Sequence, residues 1–145
     1  MISDSLFPRS GKLTMPKKAI LCVDDEKTVL ISLKAQIKKH FGNKYIYEFA
    51  ESAEEAWEVI EDFNEDGIDI LIIVTDWLMP QIKGDEFLVQ VHHKYPNIAK
   101  IMLTGQADED AVDRAQREAN LLRCLRKPWS EQDLISTIRL GLEKL

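Results

Sequence analysis

Apolar residues along this chain switch repeatedly between two spacings, and the switching predicts the fold. Ala19 to Val23 is an unbroken apolar run closed by Asp24-Asp25, the pattern of a strand buried on both faces. Val29, Leu30, Leu33, Ile37 and Phe41 then recur at threes and fours, drawing one apolar stripe along a helix that Gly42-Asn43 ends. Tyr45 to Ala50 reads as a second strand. Ser52 with Glu55 three residues on forms a capping box, and Ala53, Ala56, Trp57, Ile60 and Phe63 trace the helix behind it.

Ile68 to Val74 is the most apolar β-branched run and belongs at the centre of a sheet; it ends in Thr75-Asp76. Met79-Pro80 and Gly84 mark a loop, followed by a helix carrying Phe87, Leu88, Val91 and Tyr95, which Pro96-Asn97 breaks. Ile101 to Leu103 is a fourth strand ending in Thr104-Gly105. Asp108 to Ala119 is a largely polar helix with Ala111, Val112, Ala115 and Ala119 to bury, and Leu121 to Leu125 is a fifth strand ending near Lys127-Pro128. Ser130 and Asp133 cap a last helix whose apolar face is Leu134, Ile138 and Leu142.

Five strand–helix units in succession predict an α/β fold: a five-stranded parallel sheet with helices on both faces, joined by right-handed crossovers. Residues 1–16 mix Ser, Asp, Pro, Arg and Gly without a period and read as a flexible N-terminal tail, leaving 17–145 as one domain. The last helix meets no Gly or Pro stop before Leu145, the pattern of a helix that continues into a linker.

Composition narrows the function. At 145 residues, 45% hydrophobic and 30% charged, the chain has the material for an ordinary core. Its net charge of −6 argues against direct nucleic-acid binding by this domain, because phosphate backbones recruit basic surfaces. No apolar stretch approaches the roughly 20 residues of a membrane span, and the first residues lack a signal-peptide core, so the expected compartment is the cytosol. Cys22 and Cys124, without CxxC spacing, read as plain buried thiols. His40, His92 and His93 fall on helices without ligand partners at suitable spacing and read as surface histidines. Trp77 and Trp129 read as packing residues beside the proposed site. Arg114, Arg117, Arg123 and Arg126 read as a solvated face.

The chemistry gathers at strand ends. Strand one ends in Asp24-Asp25, strand three in Asp76, strand four in Thr104 and strand five near Lys127. Open parallel sheets bind ligands at the carboxyl ends of their strands, near the switch point in strand order, and the order 2-1-3-4-5 brings all five side chains to one rim. Three carboxylates in one crevice repel one another until a cation joins them. Oxygen-only ligands suit a hard ion such as Mg²⁺, which takes one or two carboxylates plus phosphate oxygens. Asp76 is then a candidate nucleophile, with Lys127 and Thr104 supplying a compact cation and a hydroxyl for phosphoryl oxygens.

Asp24-Asp25, Asp76 with Met79-Pro80 and Gly84 downstream, Thr104-Gly105 and Lys127-Pro128 together resemble the receiver domains of two-component response regulators, over essentially everything from Lys17 to Leu145. The resemblance implies a flavodoxin-like fold in which Asp76 accepts a phosphoryl group from a histidine kinase or a histidine phosphotransfer protein. It further implies that Asp25 and Asp76 ligate Mg²⁺ directly, joined by the backbone carbonyl of Leu78, that Asp24 acts mostly through water, and that Thr104 and Lys127 hold the phosphoryl oxygens. A cis bond between Lys127 and Pro128 is part of the same expectation. The downstream partner implied is a C-terminal effector domain or a separate protein, with homodimerisation left open. Such a domain promotes its own phosphorylation and dephosphorylation but serves as a switch rather than as a metabolic enzyme. Many members carry an aromatic three residues before the lysine that reports phosphorylation; Cys124 stands there in this chain, so switching is expected to be muted or to use another residue.

Two other readings use the same fold. One is an interaction module that is not phosphorylated, against which the complete set of acidic pair, acceptor, threonine and lysine weighs. The other is a Mg²⁺-dependent phosphohydrolase with an aspartyl nucleophile. Such enzymes place Asp-x-Asp after strand one, whereas this chain has Asp24-Asp25-Glu26 and no insertion to form a substrate cap.

Overall fold

The computed structural model describes residues 17–106 and 109–143. The tail expected over 1–16, and Asp108 at the start of the fourth helix, lie outside these residues. Strands β1 (Lys18–Val23), β2 (Ile46–Ala50), β3 (Asp69–Asp76), β4 (Ala99–Thr104) and β5 (Arg123–Arg126) alternate with helices α1 (Lys27–Phe41), α2 (Ala53–Glu65), α3 (Gly84–Lys94), α4 (Glu109–Glu118) and α5 (Glu131–Glu143). The strands form one parallel sheet in the order β2-β1-β3-β4-β5, the expected flavodoxin-like arrangement.

The alternation of side chains along a strand divides the core into two layers. Ala19, Leu21 and Val23 of β1, Ile73 of β3 and Met102 of β4 face one cluster, with Phe87, Leu88 and Val91 of α3 and Ala111 and Ala115 of α4. Ile20 and Cys22, Ile72 and Val74, and Ile101 and Leu103 face the other, with Leu30, Leu33 and Ile37 of α1 and Leu134 and Ile138 of α5. Residues of β1, β3 and β4 serve both layers, which is why Ala19 to Val23, Ile70 to Val74 and Ile101 to Leu103 are unbroken apolar runs. Cys22 is buried, and burial, aided by the charge of Asp24, pushes its thiol up to about 12, so it packs as a small hydrophobe; Cys124 is half-buried.

Local signals set the helix ends. The Ser52 hydroxyl accepts from the Glu55 N–H at 3.0 Å, while the Glu55 carboxylate accepts from the Glu51 N–H at 2.6 Å. The Ser130 hydroxyl accepts from the Asp133 N–H at 2.9 Å. Lys38, Lys39 and His40 sit in the last turn of α1, where cations favour the helix dipole, and Gly42 takes the left-handed conformation (φ 60°) that ends it. Gly84 is required for a steric reason. It opens α3 directly against the end of β3, and a Cβ there would run into the backbone carbonyl of Asp76 and the Cα of Trp77. Among the described residues, no helix is long and apolar enough to cross a membrane.

Two residues at the rim opposite the carboxyl ends depart from a simple pattern. Lys100, early in β4, is 1% exposed, and its ammonium donates to the Ile98 carbonyl at 2.7 Å. Burial pulls its pKa from 10.5 down to about 8. His92 of α3, read from sequence as a surface residue, is only partly exposed, and its Nδ1 is buried without a hydrogen-bond partner. Burial, then the charges of Lys100 and His93, lowers its pKa.

A lysine whose folded pKa is depressed weakens folding wherever the folded state must charge it. The penalty is complete below about pH 8 and fades as pH rises toward 10.5, where the unfolded chain also releases its proton. Denaturant unfolding of wild type and Lys100→Met should therefore show the difference moving in favour of wild type across that window, by about 3 kcal/mol at most. A difference that does not change with pH would show that Lys100 carries no such penalty.

Candidate functional site

The carboxyl ends of β1, β3 and β5 place Asp24, Asp25, Asp76 and Lys127 together. One carboxylate oxygen each from Asp24, Asp25 and Asp76 lies within 4.8 Å of the others. Asp24 is fully buried and Asp76 is 5% exposed, whereas Asp25 is exposed. The Lys127 ammonium sits 2.9 Å from Asp24 Oδ2, 3.1 Å from Asp76 Oδ1 and 3.7 Å from Glu26. Asp24 also accepts the Glu26 N–H on Oδ1 at 2.8 Å, so both of its oxygens are engaged by the protein. The Lys127-Pro128 peptide is cis, as the resemblance implied, and the Lys127 N–H donates to the Thr104 carbonyl at 2.8 Å.

Two unit charges at this separation repel by about 3 kcal/mol at an effective dielectric near 20, so Asp24 and Asp76 need the lysine between them. Burial, and then the charge of Asp24, raises the pKa of Asp76; Lys127 opposes the rise and Asp25 adds to it. For Lys127, burial acts to lower the pKa, but hydrogen bonds to Asp24 and Asp76 outweigh it and the net direction is upward. One ammonium among three carboxylates leaves the cluster net negative. An all-oxygen donor set with excess negative charge fits a hard divalent cation such as Mg²⁺. Asp25 and Asp76 are the carboxylates with oxygens to offer it, because Asp24 is already committed.

A cleft of about 340 Å³ opens above these groups, lined by Asp25, Glu26, Asp76, Trp77, Leu78, Gly105, Gln106 and Lys127. Leu78 stands half-exposed at its edge. Thr104 is at the same rim, but its hydroxyl is engaged by Gln106, accepting that residue's N–H at 3.1 Å and donating to its carbonyl. Thr104 and the four charged groups thus all lie at the rim where strand-end reasoning put them, and Leu78 lies beside them.

Other parts of the surroundings were not foreseen. Glu26 reaches Lys127, and Trp77 donates its indole N–H to Asp85 Oδ1 at 3.0 Å. The sequence signal available was an acid in the first turn of α3, eight residues beyond a tryptophan. Arg114 does not lie on a simple solvated face, since it pairs with Glu86 at 3.1 Å and Asp85 at 3.6 Å on α3, and with Glu118 on its own helix. Trp129 hydrogen-bonds Gln36 and packs against the α1–α5 layer.

A family model described as response regulator receiver domain matches residues 20–139. The chain is 31% identical over 117 residues to a chemotaxis protein CheY homolog of Campylobacter jejuni, covering 79% of this chain and 85% of that protein. It is 32% identical over 74 residues to the hydrogenase transcriptional regulatory protein HoxA of Cupriavidus necator, but that stretch, 51% of this chain, spans only 15% of HoxA. Among solved structures, the signal receiver domain of an HD domain-containing protein from Pseudomonas fluorescens superposes with a TM-score of 0.78 at 27% identity, covering 88% of this chain and 96% of that one.

Removing the lysine should expose the repulsion. Lys127→Met leaves buried Asp24 facing Asp76 without a cation and should lower stability by about 3 kcal/mol in the absence of divalent ions. Mg²⁺ should then raise the melting temperature of the variant more than that of wild type, because it replaces the missing charge. Thermal unfolding with and without Mg²⁺ checks both; an unchanged stability, or an equal Mg²⁺ gain in the two proteins, would contradict this account of the cluster.

Proposed function

The chain belongs to the response regulator receiver domain family, and from that premise we propose that Asp76 is its phosphoacceptor and Asp24, Asp25 and Lys127 its immediate supports. As a receiver domain it is a phosphoacceptor of two-component signalling, of a family that binds Mg²⁺ at an acidic pocket and works with histidine kinases. The observation that carries the assignment of Asp76 is the convergence of three carboxylates within 4.8 Å around one partly buried lysine, at the mouth of an open cleft. Asp76 is the member that combines near-complete burial with a place on the cleft wall.

In this reading an oxygen of Asp76 attacks the phosphorus of a phosphohistidine on a kinase or phosphotransfer protein. The new P–O bond forms as the P–N bond breaks, and the electron pair leaves with the histidine nitrogen, which regains its proton. Burial and the charge of Asp24 raise the pKa of Asp76, so a cation beside it favours the ionised form that attacks. Lys127 lies within reach of both the acceptor and an arriving phosphoryl oxygen, and the Thr104 hydroxyl would leave Gln106 to bind another oxygen. Bound Mg²⁺ would be held by Asp25, Asp76 and the Leu78 carbonyl, with Asp24 acting through water, and it supplies charge neutralisation for the phosphoryl oxygens. The same groups would support autodephosphorylation when water takes the place of the histidine. The output is a shift in a two-state surface read by an effector domain or a separate protein, and a second copy of the chain is one such reader.

Tryptophan fluorescence tests the assignment, because Trp77 lines the cleft. A saturable change is expected on adding Mg²⁺, and a second on adding beryllofluoride, which mimics a phosphoryl group on an aspartate. Asp76→Asn should abolish the second change. Equal beryllofluoride responses in wild type and variant, or none in folded wild type, would exclude Asp76 as the acceptor.

A further inference from the structure

We propose that Asp85 is a positioning residue that joins the wall of the acidic cleft to α4, so that occupation of the cleft is transmitted through Arg114. This rests on the reading of Asp76 as acceptor. Trp77 follows Asp76 directly and forms part of the cleft wall, yet it is only 6% exposed. Three hydrogen bonds fix it: its N–H donates to the Leu103 carbonyl at 2.8 Å, its carbonyl accepts the Gly84 N–H at 2.7 Å, and its indole donates to Asp85 Oδ1 at 3.0 Å. The Lys83 ammonium lies 5.2 Å from the ring centroid. The indole therefore cannot shift far without moving the first turn of α3.

Asp85 is a buried carboxylate, and such a group must find partners for both oxygens to offset the solvation it gives up. Its partners come from two different elements. Oδ1 accepts from Trp77, and Oδ2 faces the Arg114 guanidinium of α4 at 3.6 Å. Arg114 also holds Glu86 of α3 at 3.1 Å and, through Nε, Glu118 of its own helix at 3.5 Å. It thus has a partner to keep if it lets α3 go, and the α3–α4 contact can open without stranding the guanidinium. The cost of opening falls on Asp85, whose Oδ2 would lose its cation, so displacement of Trp77 and displacement of α4 are linked through this carboxylate.

The seat of α4 suits this role. The buried side chains it presents to the core are alanines, Ala111 and Ala115, with half-buried Val112 beside them, so little apolar area resists its displacement. A phosphoryl group on Asp76 adds negative charge one residue from Trp77 and draws on the same loop. The path from that loop runs through Trp77, Asp85 and Arg114 to α4, and it makes no use of position 124, where this chain has a cysteine.

Amide hydrogen exchange across α4, measured on the full chain with Mg²⁺ and then with beryllofluoride, tests the link while Trp77 fluorescence reports binding. In wild type, beryllofluoride should change α4 exchange by at least about twofold. Arg114→Gln should keep the fluorescence response and lose the exchange response. Asp85→Asn, which retains an acceptor for the indole but not the charge facing Arg114, should lose the exchange response as well. Arg117→Gln is the control: its partners, Asp113 and Glu118, are both on α4, and it should behave as wild type. Bound beryllofluoride with no α4 response in wild type, an undiminished response in Arg114→Gln, or an equal loss in Arg117→Gln would overturn the proposal. Failure of wild type to bind beryllofluoride would instead overturn the assignment of Asp76, and this inference with it.

Discussion

Carboxylates do not gather at one point unless something forces them to and something compensates them. Here the parallel sheet does the forcing. Right-handed crossovers return every strand in the same direction, so the carboxyl ends of β1, β3 and β5 meet at one rim and carry Asp24, Asp25, Asp76 and Lys127 with them. Lys127 does the compensating, 2.9 Å from Asp24 and 3.1 Å from Asp76. The rest of the site follows from this arrangement: a cluster left net negative, a buried Asp76 with a raised pKa, and a donor set that fits a further cation.

The two rims of the sheet have been given different work. At the carboxyl rim, backbone positions are held tightly. Gly84 lets α3 start against the Asp76 carbonyl, Trp77 is hydrogen-bonded to β4, to Gly84 and to Asp85, and Lys127 hangs from the Thr104 carbonyl. At the opposite rim, Lys100 and His92 sit partly or wholly out of water with few polar partners, an arrangement that weakens the fold and has no evident part in the chemistry. The stability of the domain is thereby concentrated in the two apolar layers between the rims.

Much of this was legible in the residues. Apolar runs marked β1, β3 and the end of β4 because these segments are buried on both faces. The strand-end residues named the site because periodicity fixes where each strand stops, and the sheet fixes where those stops meet. What stayed hidden was set by partners distant in sequence. The i,i+4 pair of Arg114 with Glu118 is visible in the chain, but its hold on Asp85 and Glu86 depends on α4 lying beside α3. Lys100 reads as an ordinary polar residue at a strand start until α3 covers it. Leu121 and Leu122 extend the apolar run of the fifth strand, yet pairing with β4 begins only at Arg123, opposite Ile101. The Thr104 hydroxyl was assigned to phosphoryl oxygens, and in this structure it is turned to Gln106.

Of the three carboxylates, Asp76 is the one proposed to form an acyl phosphate. Incubating the folded protein with Mg²⁺ and acetyl phosphate, a small phosphodonor, and then reducing with borohydride would convert a phosphorylated aspartate to homoserine. Peptide mass spectrometry reads its position directly. The account predicts homoserine at residue 76 and unmodified aspartate at 24 and 25. Conversion at either of those two residues, or at none in protein shown to be folded, would contradict it.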